Sequence, residues 1–521
     1  MLRRWIFCFT LLLPAFVFAQ FPNILIGTSN TPNEPCIALD PKQPHRILAA
    51  ANINNYYISD DTGYTWTEHQ LFSPYGVWGD PVLIADTAGN FYFFHLSNPP
   101  SGNWIDRIVC QKTVGADTTW TAGTFFGLNG TKAQDKEWAT INRTNNHVYV
   151  TWTQFDVYGS ALPTDSSVIF FTSSADGGDT WSNPLRINTI AGDCLDDDNT
   201  VEGAVPTVGA NGEIYVAWAG PQGILFDRSL DGGATWLNDD IPVTTIPGGW
   251  NFQIPGISRC NGLPVIACDT STSAFRGTIY INWSDQRNGT DDTDVWLVKS
   301  TDGGNTWSNP ARVNDDSSGR QQFFTWMTID QSNGYLYFVF YDRRNHADNA
   351  TDVYCAVSKD GGNTFKNIKI SESPFVPDNA IFFGDYTNIA AHNGIIRPIW
   401  TRLHNGELSI WTAIVSENDS ATSANTISVQ SPVFELNQNY PNPAGDETFI
   451  SFKLHQRAKI SLAVYNALGE KVITAVDEEW YDYGKHILSL DTKILTESGV
   501  FYYELSVDAK VKTRRMLVMQ K

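Results

Sequence analysis

Apolar and polar positions alternate in short runs along most of the chain, and tight clusters of Gly, Asp, Asn and Ser separate the runs. A period of two predicts β-strands joined by hairpins. One kind of turn is written repeatedly. Ser300-Thr-Asp302-Gly-Gly304-Asn-Thr306-Trp307 follows the apolar run Val295-Trp296-Leu297-Val298 and precedes another strand-like run. Further copies centre on Asp61, Asp176, Asp231 and Asp360, each with a Ser two residues before the Asp and a Thr four residues after it. The Asp carboxylate is suited to accept hydrogen bonds from its own turn, the Gly supplies backbone angles closed to other residues, and the aromatic closes over the core. The pattern reads as a stapled hairpin turn.

This repeat resembles the Asp box, or bacterial neuraminidase repeat, of sialidase-like β-propellers. In that family the box lies on the face opposite the binding site. The resemblance therefore implies a structural role for Asp61, Asp176, Asp231, Asp302 and Asp360.

The box aspartates are separated by 115, 55, 71 and 58 residues. The first gap is twice a normal one, and Thr113-Val-Gly115-Ala-Asp117-Thr-Thr119-Trp120 fits its middle as a degenerate sixth box. Periods of this size predict a propeller or a solenoid. Seven apolar runs, beginning at Pro35, Pro81, Trp138, Ala204, Pro264, Phe324 and Tyr386, each precede a second run near Arg46, Phe91, Val148, Ile214, Ile279, Leu336 and Ile396. The seventh unit ends at Leu408–Ile414 without a box, and a spare strand, Ile24–Gly27, precedes the first. Pairing these two closes the ring and removes exposed sheet edges. The expected fold is all-β: a seven-bladed β-propeller over residues 20–415, with six blades, the number in true sialidases, as the alternative.

Residues 1–19, with Arg3, Arg4 and the apolar run Trp5–Phe18, read as a secretory signal peptide. No other stretch is long enough to span a bilayer, so no membrane span is expected in the mature chain. Without Arg3 and Arg4 the basic residues number 33 against 56 acidic ones, in no basic cluster, which argues against nucleic acid and anionic membranes as partners. A monomer is expected. Of the six cysteines beyond Cys8, Cys36, Cys110, Cys268 and Cys355 fall in strand-like runs and read as buried small hydrophobes. Cys194 and Cys260 fall in polar loops and form the candidate disulfide.

Residues 416–432 read as a linker, and residues 433–521 as a small Ig-like β-sandwich with strands at Thr448–Leu454, Ile460–Tyr465 and Val500–Val507. The segments Asn439-Tyr-Pro-Asn-Pro443, Val464-Tyr-Asn-Ala-Leu-Gly469, Gly484-Lys-His486, Gly499-Val-Phe-Tyr502 and Lys512-Thr-Arg-Arg-Met516 resemble the type A C-terminal sorting domain of type IX secretion substrates. That resemblance implies handling of residues 433–521 by type IX machinery, and a secreted or outer-membrane-surface location in a Bacteroidetes-type Gram-negative bacterium.

Chemistry is expected where the loops leading into the innermost strands meet at the axis. Those loops carry Glu34, Asp80, Glu137, Glu202 and Asp385. Crowded carboxylates raise one another's pKa or bind a cation, so the cluster reads as a pocket for a sugar or a metal, or else as a polar cap on the channel. Asp80, Glu137 and Asp385 are the candidate acid or base, and Glu34, Glu202 and Tyr386 candidate ligand contacts. Arg287, Arg344 and Arg402, from consecutive blades, are candidates for a carboxylate clamp such as sialidases use. Arg287 and Arg344 also each follow an Asp, which suits a loop-closing ion pair. The sialidase Phe-Arg-Ile-Pro signature is absent: the corresponding stretch reads Glu34-Pro-Cys-Ile-Ala-Leu-Asp40. No cofactor is expected; calcium stays open through the acidic loops Asp193–Asp198 and Asn314–Asp316, although neither has EF-hand spacing. The sequence thus points to recognition of an extracellular glycan or glycoprotein, with an exo-sialidase-type glycosidase and a protein-interaction scaffold as alternatives.

Overall fold

A computed structural model describes residues 21–113, 119–317, 319–404, 406–416, 434–454, 458–466, 469–482, 484–495, 497–507 and 510–519. The expected signal peptide and nearly all of the expected linker lie outside the described residues. The chain divides into two compact units, each taken by itself.

The described residues of the first unit form antiparallel four-stranded sheets in which strand order follows chain order. The second sheet shows the plan: Gly79–Ala85, Phe91–Leu96, Ile108–Lys112 and Thr124–Phe126 lie side by side, inside to outside. Each sheet is opened by an innermost strand: Cys36–Leu39, Gly79–Ala85, Ala133–Ile141, Glu202–Val208, Val265–Cys268, Gln322–Asp330 and Asn388–His392. Each of these strands contacts the next, and Asn388–His392 contacts Cys36–Leu39, so the seven sheets stand in a ring. The ring is locked by the N-terminal strand Asn23–Gly27, which pairs with Glu407–Ala413 through Asn23 with Ala413 and Ile24 with Thr412. The second strands are the most apolar, and Trp152, Trp218, Trp283 and Trp400 are among the largest fully buried side chains. Burial of such rings supplies the bulk of the apolar stabilisation between sheets.

The repeated turns join the third and fourth strands. In each, the Ser hydroxyl donates to the Asp at 2.8–2.9 Å and accepts the N–H of the Gly that follows, while the Thr N–H and hydroxyl both donate to the carboxylate, as at Asp302. These turns also dock on the preceding sheet. A side chain at Gly233 would meet the ring of Phe171, and one at Gly304 the ring of Phe226, both in the sheet before. Lys112, Arg228 and Lys299 reach from the preceding sheet to the turn carbonyls of Gly177, Gly303 and Gly361. Residues 114–118 of the degenerate sixth turn lie outside the described residues; Thr113 and Trp120 beside them form a bridge, and Trp120 packs edge-on against Tyr56 and Phe93.

All six cysteines are free and buried, which corrects the Cys194–Cys260 disulfide. Both were placed in polar loops, yet each packs into apolar core: Cys194 with Trp250 and Phe155, Cys260 with Phe252 and Phe323, in separate clusters.

The second unit contains two antiparallel sheets. One holds Phe434–Leu436, Glu447–Leu454 and Gly484–Asp491; the other holds Lys471–Tyr481, Ala458–Tyr465, Gly499–Val507 and Lys510–Val518. Their inward residues, among them Phe452, Leu462, Tyr503 and Met516, share one core. No helix among the described residues is long and apolar enough to cross a membrane.

Candidate functional site at the axial mouth

Antiparallel order sends the loops between first and second strands, and between third and fourth, to one face. The loops that lead into each innermost strand emerge on the other. There several innermost strands begin with an irregularity. Register shifts by a bulge between Gly79 and Val82, Asp135 and Trp138, Glu202 and Val205, and Phe323 and Trp326. Glu34, Asp80, Lys136 and Phe324 adopt left-handed backbone angles with φ near 50°. Bulges re-aim side chains, and strain of this kind gathers where function or tight convergence demands it. Here they gather charged groups around the axis.

Lys136 stands at the centre. Its Nζ lies 2.7 Å from Asp385 Oδ2, 3.6 Å from Asp80 Oδ2 and 3.8 Å from Glu34 Oε1. It also sits over the Tyr386 ring. Arg259 binds Asp385 with both Nε and Nη2, and its Nη1 donates to Asp196 at 2.8 Å. Glu34 accepts from the Asp385 N–H at 3.0 Å and from the Asn52 side-chain amide. Asp80 receives the Tyr386 hydroxyl at 3.3 Å.

Burial and crowding divide the carboxyl groups into two populations. Burial pushes the Asp385 carboxyl up, but Lys136 and Arg259 together outweigh it and hold the group below the usual carboxylate range. Burial, with Asp80 adding to it, raises Glu34 and Glu137 well above that range and Asp135 to about 8. Burial and then Asp196 do the same to Glu202. Neither oxygen of Glu137, and one oxygen of Glu202, has a hydrogen-bond partner. Burial and Asp80 likewise keep the Tyr386 phenol protonated.

The network runs outward to an aromatic rim. Asp196 accepts the Tyr158 hydroxyl at 2.6 Å; Tyr158 meets Trp104 edge-on, and Trp104 meets Trp78 the same way. Trp78 is 42% exposed and Trp104 39%. Phe382, also exposed, lies against the Arg259 guanidinium.

Glu34, Asp80, Glu137, Glu202, Asp385 and Tyr386 are thus buried in the wall of this mouth. The three arginines are not, and the clamp is corrected. Arg287 binds Asp285 through Nε and Nη2 and lies over Trp296. Arg344 binds Asp342 and Asp315 over Tyr354. Arg402 donates to Ser373 over Trp411. Each is held within its own part of the ring by a nearby acceptor and a ring face, so no shared carboxylate site forms. The arginine that does reach the mouth, Arg259, comes from the short hairpin of Asn251–Phe252 and Cys260–Asn261. The long 71-residue gap between Asp231 and Asp302 was its only trace in the chain. Among the described residues, no group of three or more His, Cys, Asp or Glu side chains is placed to hold a metal ion; at the mouth, Lys136 and Arg259 occupy the place a cation would take.

Residues 438–519 match the family model described as a secretion system C-terminal sorting domain. The protein is therefore a type IX secretion substrate, secreted or held at the outer surface of a Bacteroidetes-type cell. No curated protein matches the chain. Among solved structures it is similar to a polysaccharide lyase of family PL25, an ulvan lyase, with 13% identity over 76% of this chain and 96% of that one and a TM-score of 0.43. It is similar to an α-L-arabinanase of Penicillium chrysogenum, with 13% identity, 75% and 97% coverage and a TM-score of 0.40. NanB sialidase of Streptococcus pneumoniae is similar at 9% identity, 72% and 84% coverage and a TM-score of 0.42.

Proposed function

We propose that the propeller recognises an extracellular glycan at the axial mouth and does not turn it over. The observation that carries this reading is the unbroken path from exposed Trp78 and Trp104, through Tyr158 and Asp196, to Arg259 and Asp385. Aromatic faces take the apolar side of a sugar ring, and the polar groups behind them suit its hydroxyls. Two cations face several carboxyl groups, of which Glu34, Asp135, Glu137 and Glu202 are pushed toward the neutral, proton-donating form. An uncharged, hydroxyl-rich sugar fits that balance better than an anionic one.

The hydrolytic alternative draws on Asp80 and Tyr386, which touch at the foot of the opening. Hydrolysis needs two reachable carboxyl groups, one acid and one nucleophile or base. The Asp385 side chain is 2% exposed and saturated by cations, that of Glu34 is 3% exposed, and Glu137 is sealed. The phenol of Tyr386 is held protonated. Binding is what these groups can do as they stand. Beyond the mouth, the sorting domain suits delivery of such a binder to the cell exterior.

The mature chain, sorting domain included, would be applied to a glycan array and incubated with sialylated and neutral glycosides. Saturable binding without turnover, weakened at least about tenfold in Trp104→Ala and Arg259→Met, is the expected result. Turnover abolished by Asp80→Asn would replace this reading with the glycosidase. Silence in both assays would leave the protein-interaction scaffold.

A further inference from the structure

The other end of the axis is a different chemical environment. On the face that carries the repeated turns, the innermost strands diverge around a cavity of about 1010 Å³. All seven innermost strands contribute to its wall, which mixes apolar side chains such as Ile141 and Val208 with polar ones such as Thr140, Asn142, Thr207 and Thr328. The basic side chains in that wall are Arg143, Arg276, His147 and His392, and no Asp or Glu is among the lining residues. In a chain with net charge −21, a cavity lined by cations alone is unexpected unless it holds something negative.

The carboxylates nearest the wall are held by N–H groups close to them, and Asp330 and Glu213 act through space on Arg143 and Arg276 without pairing with them. Asp330 accepts the N–H groups of Ser332, Asn393 and Gly394, Asp40 those of Lys42 and Gln43, and Glu213 those of Asn211. Arg276 donates to the carbonyls of Thr270, Ser271 and Ala210, which fixes its position without cancelling its charge. Among the described residues Arg143 makes neither a hydrogen bond nor an ion pair, and Asp330 acts on it only through space. His392 Nε2 lies 3.2 Å from the Pro41 carbonyl, to which it donates when protonated, and 3.1 Å from the Asn393 side-chain amide, from which it accepts when not, while its buried Nδ1 has no partner among the described residues. A free guanidinium and an unpartnered imidazole nitrogen therefore share one cavity with amphipathic walls. Arg143 is exposed to the solvent of this cavity, so its guanidinium is free to receive an oxyanion.

The geometry points to a second binding site in this cavity, for a small organic ligand bearing an oxyanion. Arg143 is its principal contact, and the mixed polar and apolar wall receives the rest of the ligand. The volume is of the size that small-molecule sites occupy, about 300–1,000 Å³. The site is independent of the axial mouth, which lies at the opposite end of the same channel.

The test uses the mature chain in calorimetric titrations with sodium glucuronate, inorganic phosphate and sodium sulfate at fixed ionic strength. At least one should bind saturably, and Arg143→Gln should weaken it at least about tenfold, while Arg143→Lys retains most of the affinity. Glucuronate binding ahead of the inorganic anions identifies a carboxylate ligand with further contacts to the wall. The reverse order identifies a phosphate or sulfate group. Thermal denaturation of each variant checks folding, and Lys471→Gln in the sorting domain controls for loss of bulk charge. Absence of saturable binding by all three anions overturns the proposal. So does binding that Arg143→Gln leaves unchanged, or that Lys471→Gln weakens equally. Glycan binding at the mouth should be the same in Arg143→Gln and the parent, so failure here and failure of the glycan reading are separable.

Discussion

Carboxylates in loops serve the two faces of this propeller in opposite ways. On the face with the repeated turns, each Asp is satisfied within eight residues of chain, chiefly by the Thr side chain and backbone N–H that follow it. Those donors hold Asp176, Asp231 and Asp302 at about 2. At the axial mouth, Asp385 depends on Lys136 and Arg259, which lie 249 and 126 residues away. The Glu137 carboxyl has no hydrogen-bond partner among the described residues. The first arrangement stabilises itself wherever the turn is written. The second exists only when the ring has closed, and it leaves buried polar groups unsatisfied, a cost that natural proteins accept mainly at sites of function.

The contrast is broken most severely at Lys136. Lys136→Met would leave Glu34, Asp80 and Asp385 facing one another with Arg259 as the only cation in contact. Removing one partner from a buried charge network costs about 3–5 kcal/mol. Urea denaturation should show a loss of that size. A loss under about 1 kcal/mol would mean that the network is solvated and that the mouth does not differ from the turns.

The two faces should also respond to pH with opposite sign. Asp135 is raised to about 8 by burial and by Asp80, so in the folded protein it keeps a proton that the unfolded chain, with a pKa of about 3.9, has released. Stability from this group is therefore lost as pH climbs from about 4 to about 8, with a limiting slope of about 1.4 kcal/mol per pH unit. Asp176, lowered to about 2, contributes stability above about 4 that disappears as pH falls through 2. Unfolding free energies from urea denaturation compared at pH 5 and pH 8 should fall for the parent, this one group contributing up to about 4 kcal/mol over the three pH units, and fall less for Asp135→Asn. An identical slope in the variant would show that Asp135 is ionised when folded.

Local chemistry is also what the sequence makes legible. The turns announce themselves because Ser, Asp, Gly, Thr and Trp occupy fixed offsets, and the closing strand at Ile24 is visible because seven runs need a partner for the last. The acidic loops at the mouth could be located for the same reason: each sits just before a recognisable strand. Their satisfaction could not, since neither Lys136 nor Arg259 belongs to a repeat. Arg259 lies in an insertion whose length alone was visible. The arginines that did repeat, Arg287 and Arg344, repeat because each closes its own loop on Asp285 or Asp342, so repetition there marked a structural device. In the second unit the strand Lys471–Tyr481 went unread because only Ile473 and Val476 of it are buried, too few to show alternation.

The smallest effect is expected at the turns. Asp360 accepts from the Ser358 hydroxyl, the Asn363 and Thr364 N–H groups and the Thr364 hydroxyl, all between 2.6 and 3.0 Å. Four hydrogen bonds to one carboxylate would be worth several kcal/mol if buried, but this group is only half-buried and water can replace part of the lost acceptor. The turn has other anchors as well, since Lys299 donates to the Gly361 carbonyl and the Asn363 side chain from the sheet before. Asp360→Ala should therefore cost about 1 kcal/mol in urea denaturation and leave glycan binding at the mouth unchanged. Asp360→Asn, which keeps one acceptor oxygen, should cost less. If either variant weakened binding at the mouth, the turns would be coupled to the axis through the sheets, and the division between self-satisfied and cross-ring carboxylates would not describe how this propeller works.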